Sequence, residues 1–142
     1  MPISIVGSGT ITGISVGGIP DGVVDTDVLA ANAVTTAKLG TAEVSGLCKA
    51  WVNFNGTSTV AIRASYNVSS ITDTGVGRYE INLTTALADA NYAVAGSAGK
   101  ASNDDNFGVG STNTSTSVAH VETWSTGNVV TDCDYVSVAI FR

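Results

Sequence analysis

The sequence predicts an all-β fold: an antiparallel β-sandwich or barrel-like C-terminal domain preceded by an extended N-terminal stalk with short helical turns. Three observations point to it. Short runs of apolar residues alternate with polar ones at a period of two, the spacing of a half-buried strand. Clusters of Asn, Gly, Ser and Asp separate those runs, as turns require. Charged residues make up only 13%, Gly numbers 16, and Ser and Thr fill much of the rest, a composition that favours strands and turns over helices. A chain of 142 residues is long enough for one core and short for two.

Residues 1–46 differ in pattern from the rest of the chain, and they divide into 1–20, an extended attachment segment, and 21–46, a stalk. From Ile3 to Gly18, β-branched residues are interrupted every few positions by glycine, so this stretch buries no core of its own. An internal repeat comes next. Laying Gly22–Leu29 on Asn32–Leu39, ten residues further on, matches Gly22 with Asn32, Val24 with Val34, Thr26 with Thr36 and Leu29 with Leu39. Gly and Asn enter left-handed backbone most easily, and Thr followed three residues later by Leu suits a capped helical turn. The apolar pairs Val24 and Leu29, then Val34 and Leu39, need cover that neighbouring chains around an axis would provide. A single amphipathic helix from Thr26 to Leu39 is the alternative, although Val28, Leu29, Ala33 and Val34 make no long stripe.

Residues 47–142 carry the β domain. In the first run Cys48, Ala50, Val52 and Phe54 face one way, and Lys49, Trp51, Asn53 and Asn55 the other. Across the turn Asn55-Gly56-Thr57-Ser58, a second run begins in which Val60, Ile62, Ala64, Tyr66 and Val68 alternate with their neighbours. A loop with Gly75 and Gly77 leads to the third, with Tyr79, Ile81 and Leu83 on one face. Further strands are expected near Asn91–Ser97, Asn106–Ser111, Ser117–Trp124 and Asp134–Phe141, seven in all. The last is apolar on both faces, which suits a central or interface strand. Strict alternation of seven strands puts loops 67–77, 98–105 and 125–133 at the end where the chain enters the first strand. Loops 55–58, 85–90 and 112–116 then share the far end with Arg142.

Trp51-Val52-Asn53-Phe54-Asn55-Gly56, followed by Val60–Asp73 and Gly77-Arg78-Tyr79-Glu80-Ile81-Asn82, resembles the C-terminal domain of tail-fibre proteins of tailed bacteriophages. The likeness continues through Asp89-Ala90-Asn91-Tyr92-Ala93-Val94 and ends at Val136–Arg142. The unit Asp-Gly-x-Val followed by Ala-Val-Thr-Thr-Ala-Lys-Leu is similar to the stalk repeats of such fibres. The resemblance implies a homotrimer with intertwined stalks, a virion location after assembly in a host cytoplasm, and a tail or baseplate partner held through residues 1–20. It further implies contact with a host-surface glycan or protein. Receptor-contact candidates are the loop residues Asn55, Thr57, Asp89 and Asn113, together with Asn103, Asp104 and Asp105. A spacer or baseplate spike without receptor contact is the second reading, and a glycan-degrading tailspike the third.

Other functions find less support. The net charge of −6 and the scattering of six cations from Lys38 to Arg142 oppose nucleic-acid binding, which needs a concentrated basic face. No apolar run nears the roughly 20 residues of a membrane span, and the N-terminus lacks a signal-peptide pattern, so a soluble chain made in a cytosol is expected. Four Asn-x-Ser/Thr sequons, at Asn55, Asn67, Asn82 and Asn113, are read as chance in so Ser- and Thr-rich a chain. Cys48 and Cys133 are expected to be free thiols, with a disulfide feasible only if the two lie together.

No catalytic constellation is expected, nor any cofactor or metal. His120, the one histidine, shares a strand face with Glu122 and Trp124 and has no second His for zinc. Asp104-Asp105 and the Asp21, Asp25, Asp27 spacing lack the Gly and terminal Glu of a calcium loop. Gly7-Ser8-Gly9 lacks the third glycine of a dinucleotide loop. Glu43, Glu80 and Glu122 form no recognisable carboxylate pair for glycoside hydrolysis. Trp51 and Trp124 stand out because each sits on the polar face of its strand, and an indole brings about 150–250 Å² that is costly to leave in water. Both are read first as trimer-interface anchors, then as packing under the chain's own loops, then as a ligand platform.

Overall fold

The structure, a computed structural model, describes residues 31, 33–40, 46–112 and 115–142, with the backbone alone at 36 and 103–106. These fall into two units, one ending at Leu39 and the other running from Gly40 to Arg142. In the first, Thr36–Lys38 forms a single 3-10 turn in which the Lys38 amide donates to Thr35 O at 2.9 Å and Lys38 Nζ to Ala33 O at 2.5 Å. Thus the second repeat carries the short helical turn its Thr-Ala-Lys-Leu suggests. Val34 is exposed and Leu39 half-buried in this unit, while Val24 and Leu29 lie outside the described residues.

The second unit is one antiparallel sheet of eight strands: β1 Cys48–Asn55, β2 Ala61–Tyr66, β3 Val68–Gly75, β4 Arg78–Leu83, β5 Ala93–Lys100, β6 Asn103–Thr112, β7 Val118–Trp124 and β8 Tyr135–Phe141. Their order, β2-β1-β8-β5-β6-β7-β4-β3, curls into a nearly closed barrel with an open seam between β2 and β3. β8 lies between β1 and β5, the central position its two apolar faces suggest. Most of the buried core comes from the alternate positions of four strands: Ala50, Val52 and Phe54; Tyr79, Ile81 and Leu83; Ala119 and Val121; Val136, Val138 and Ile140; Tyr92 and Cys133 join it from the segments before β5 and β8. Across the barrel Phe54 meets Tyr79 edge to face, with ring centroids 5.0 Å apart. Thr123, also buried, satisfies its hydroxyl by donating to Thr131 O at 2.6 Å.

The extra strand is β3, in the stretch expected to be a loop. Ser69, Ser70, Thr72, Asp73 and Thr74 are exposed, and the ladder with β4 shifts register between Val68 and Ser70 and again between Asp73 and Gly75. Such bulges erase the two-residue pattern that marks a strand in sequence. Asn67, with φ of 56°, turns the chain between β2 and β3. Its Nδ2 donates to Lys49 O and Thr85 O, each at 3.1 Å, and its Oδ1 accepts from the Thr85 amide at 2.8 Å, which pins the corner.

One more strand inverts the direction of everything after it. Cys48 pairs with Phe141 and Ala93 also pairs with Phe141, so Arg142 lies at the end where the chain enters β1, the opposite of the expected placement. The segments 84–92 and 115–117 share this proximal end. At the distal end are the 56–60 loop, the Val76-Gly77 turn, the Ala101-Ser102 turn and the 125–134 loop. The same antiparallel pairing separates the cysteines. Cys48 opens β1 at the proximal end, and Cys133 O accepts the Gly56 amide just past its distal end. A strand of eight residues spans about 25 Å, far beyond the ~7 Å a disulfide bridges, and both thiols are unbonded.

Candidate functional site

The barrel's outer surface has two unlike halves, and cross-strand pairing builds each. On β2, β1, β8 and β5, Tyr66 pairs with Trp51, Trp51 with Ala139, and Ala139 with Ala95. This is an unbroken apolar row across four strands. Trp51 is 40% exposed, Tyr66 59% and Tyr135, on the same face, 51%. The adjacent row is polar, where Asn53 Nδ2 donates to Ser137 Oγ at 2.8 Å. β2 itself is exposed at every residue and leaves one edge unpaired.

Tyr66 reaches that row through a bulge. Asn53 pairs with Ala64 and Phe54 with Ile62, leaving Arg63 without an opposite residue. The apolar face expected for the second run is therefore divided: Ile62 pairs with Phe54 and shares its side of the sheet, although it stays exposed at this edge, while Ala64 and Tyr66 share the outer face with Asn53 and Trp51. Arg63 is held in place by donating from Nη1 to Phe54 O at 2.9 Å and from Nη2 to Asp134 O at 2.6 Å, with its guanidinium 4.7 Å from the Tyr135 ring centroid.

On β3, β4, β7 and β6 the rows are polar. Thr72, Glu80, His120 and Thr112 make one; Gly75, Arg78, Glu122 and Gly110 make the next. Arg78 Nε donates to Glu122 Oε1 at 2.7 Å, and His120 Nδ1 lies 3.7 Å from Glu80 Oε1. Trp124, one row on, extends its indole over two glycines of β6. A Cβ at Gly108 would come within 2.4 Å of the indole Nε1, and one at Gly110 within 2.2 Å of Cη2. Here the sequence holds glycine at two same-face positions so that a neighbouring aromatic can lie over the strand. The indole, Thr74, Arg78, Thr112, His120 and Glu122 line a groove of about 340 Å³. The same-face placement of His120, Glu122 and Trp124 agrees with the two-residue period. Arg78 and Glu80 lie in the fibre-like stretch Gly77–Asn82 but are not among the site residues expected from the sequence, although their alternation with Tyr79 and Ile81 already puts them on one outward face.

At the distal end the loops are tied to the core. Tyr79 OH donates to Gly56 O at 2.8 Å, and Asp132 Oδ1 lies 3.2 Å from that hydroxyl while accepting the Gly77 amide at 2.6 Å. Burial, then the neighbouring Asp132 carboxylate, pushes the Tyr79 hydroxyl far above its ordinary pKa. Asp134 accepts the Ala101 amide at 2.8 Å and lies 3.0 Å from Thr57 Oγ1, and those bonds, the Ala101 amide first, hold its carboxyl below the usual range.

The receptor-contact candidates are distributed between both ends. Asn55 and Thr57 lie at the distal end with their polar groups engaged within the protein: Asn55 Nδ2 donates to Thr57 O at 2.7 Å and to Thr59 O at 3.2 Å, and Thr57 Oγ1 lies 2.9 Å from Asn55 Oδ1 and 3.0 Å from Asp134 Oδ1. Asp89 lies at the proximal end, where Arg142 Nε donates to its Oδ1 at 2.8 Å and Nη2 bonds its Oδ2; Arg142 and the Asn91 amide lower its pKa. Asn103, Asp104 and Asp105 belong to the first residues of β6 instead of a loop, and their side chains lie outside the described set, as does Asn113. Trp51 and Trp124 occupy opposite halves, the first beside an unpaired edge and the second packed on its own chain's glycines.

Among the described residues there is no cluster of three or more metal-ligating side chains, and no helix long and apolar enough to cross a membrane. Comparison with protein-family models, with curated proteins and with solved structures finds no match to this chain.

Proposed function

We propose that the chain is the subunit of a short, trimeric tail fibre of a bacteriophage, a non-enzymatic virion protein that attaches to the tail or baseplate through residues 1–20 and contacts the host surface with its β domain. The observation that carries this reading is the division of the barrel's outer surface. An apolar row ending in Tyr66 and Trp51 beside an unpaired edge strand suits burial against another copy, and a polar half suits solvent and a hydrophilic partner. The sequence likeness to fibre domains and stalk repeats supports the same reading. Multivalency gives the arrangement its use: three copies per fibre convert weak individual contacts into lasting attachment through effective concentration.

Light scattering of the intact protein tests the assembly, with three times the 14.3 kDa chain mass expected and a lower mass for Trp51→Ala. A single-chain mass overturns the trimer, and an unchanged mass in the variant removes Trp51 from the interface. Competition by purified protein against phage adsorption tests the host contact. A spacer or spike without receptor binding leaves adsorption unaffected.

A further inference from the structure

We propose that the groove over β4, β7 and β6 is a saccharide-binding site, in which the Trp124 indole forms the apolar wall and the Arg78–Glu122 pair binds the sugar hydroxyls. The inference rests on the host-surface reading only for where the saccharide is found. It also differs from the loop residues that the strand alternation singles out in the sequence for that contact, because it puts the ligand on a strand-built surface.

The chemistry of the lining selects the ligand class. A sugar ring has a C–H face that seeks apolar contact and hydroxyls that each both donate and accept. The groove supplies both sides of that match. Trp124 is held over Gly108 and Gly110 by the floor of β6, so an aromatic wall is present before any ligand arrives. Beside it the guanidinium and carboxylate lie 2.7 Å apart, a donor fork next to an acceptor pair, the arrangement that vicinal hydroxyls bridge. Arg78 and Glu122 remain 60% and 37% exposed, so their outer hydrogen-bonding positions face the groove's solvent. His120 and Thr112 add one more donor–acceptor row.

Charge argues against the obvious competitors. The one cation of the lining, Arg78, is already matched by Glu122, and Glu80 stands 3.7 Å from His120, so the groove has no unpaired positive charge for a phosphate or carboxylate. An apolar peptide finds a single apolar wall. A volume of about 340 Å³ admits roughly one or two hexose rings, near the lower end of small-molecule sites.

The test uses Trp51→Phe protein, which leaves Trp124 as the only indole, so its emission reports the groove alone. Di- to tetrasaccharides of glucose, galactose and N-acetylglucosamine, at millimolar concentration, are the probes. A saturable emission change with at least one probe is expected, weakened about tenfold or more by Arg78→Ala and by Glu122→Gln, each removing one strong hydrogen bond. Both variants alter exposed side chains, and an unshifted melting temperature checks that they fold. No saturable change with any probe overturns the proposal, as does a change that both variants retain. So does a fall in assembly mass in Arg78→Ala, which assigns the groove to a subunit interface. Saccharide binding without competition for host cells overturns the adsorption reading and leaves the groove standing; competition undiminished in both variants does the reverse.

Discussion

Tyr66 stands directly opposite Trp51 on the outer face of the barrel, and it does so because Arg63 is bulged out of β2. Without the extra residue the alternation begun at Ile62 would turn Tyr66 inward, and the apolar row would end at Trp51. Arg63 secures the bulge with two bonds to backbone carbonyls, Phe54 O on β1 and Asp134 O in the loop just before β8. Replacing it with Ala is expected to cost roughly 1–2 kcal/mol, because those carbonyls lose charge-assisted donors. Lys should recover only part of that, since a single ammonium does not reproduce the fork. Urea unfolding of the three proteins checks the order; equal stability of Arg63→Ala and the parent would mean the bulge holds without its side chain.

Gly77 and Gly75 flank the β3–β4 turn, and both have positive φ, 62° and 144°. Their surroundings differ. A Cβ at Gly77 would lie 2.7 Å from Thr123 O and 2.8 Å from Thr131 N and O, whereas one at Gly75 meets nothing within 4 Å. Gly75→Ala is therefore expected to cost about 1 kcal/mol of backbone strain. Gly77→Ala adds a clash with two stretches of backbone and should cost at least ~3 kcal/mol, separating the 125–134 loop from the turn. Thermal melting and amide exchange at Thr131 measure the contrast, and equal losses would contradict it.

The strands that supply the core were legible in the sequence because one face of each is buried and the other wet, the condition that writes a period of two into β1, β4, β7 and β8. β3 was not, because an edge strand with two bulges buries only part of Val68 and Ile71 and has no alternation to show. That one omission reversed the placement of Arg142 and of the loops near Asp89. The groove was half legible. His120, Glu122 and Trp124 share a face by spacing alone, but Arg78, Gly108 and Gly110 join them only through strand order, which no local pattern encodes. Trp124 was read first as an interface anchor for the same reason: the glycines beneath it are fourteen and sixteen residues away in sequence and adjacent in the sheet.

Alkaline pH should weaken the fold through Tyr79. Its folded pKa is raised above the ordinary value of about 10 by burial and by Asp132, so above pH ~10 the unfolded chain releases a proton that the folded chain keeps. The unfolded state then binds fewer protons, and stability falls as pH rises, by at most about 1.4 kcal/mol per pH unit for this group. The contribution is fully present below pH ~10. Tyr92 and Cys133, both raised by burial, act in the same direction, each from its own unfolded pKa. Tyr79→Phe should lose about 1–2 kcal/mol at neutral pH, where Gly56 O loses its donor, and show a shallower decline of melting temperature between pH 9 and 11. An identical slope in the variant would remove Tyr79 as the cause.

Gly110 decides whether the Trp124 indole can lie where the groove needs it. A methyl group there would meet Cη2 at 2.2 Å and Cζ3 at 2.7 Å, too close for either to stay, and the neighbouring Glu122 and Arg78 leave the ring few places to go along the same row. The indole has to swing outward, which exposes β6 and enlarges the wet surface of the ring. Gly110→Ala is thus expected to destabilise the barrel by roughly 1–3 kcal/mol, the usual cost of overpacking, and to red-shift Trp124 emission in the Trp51→Phe background. Trp124→Ala relieves the clash, so adding Gly110→Ala to it should cost much less than in the parent. A double-mutant cycle measures that coupling directly, and strict additivity would show that the glycine and the indole are not the packing pair.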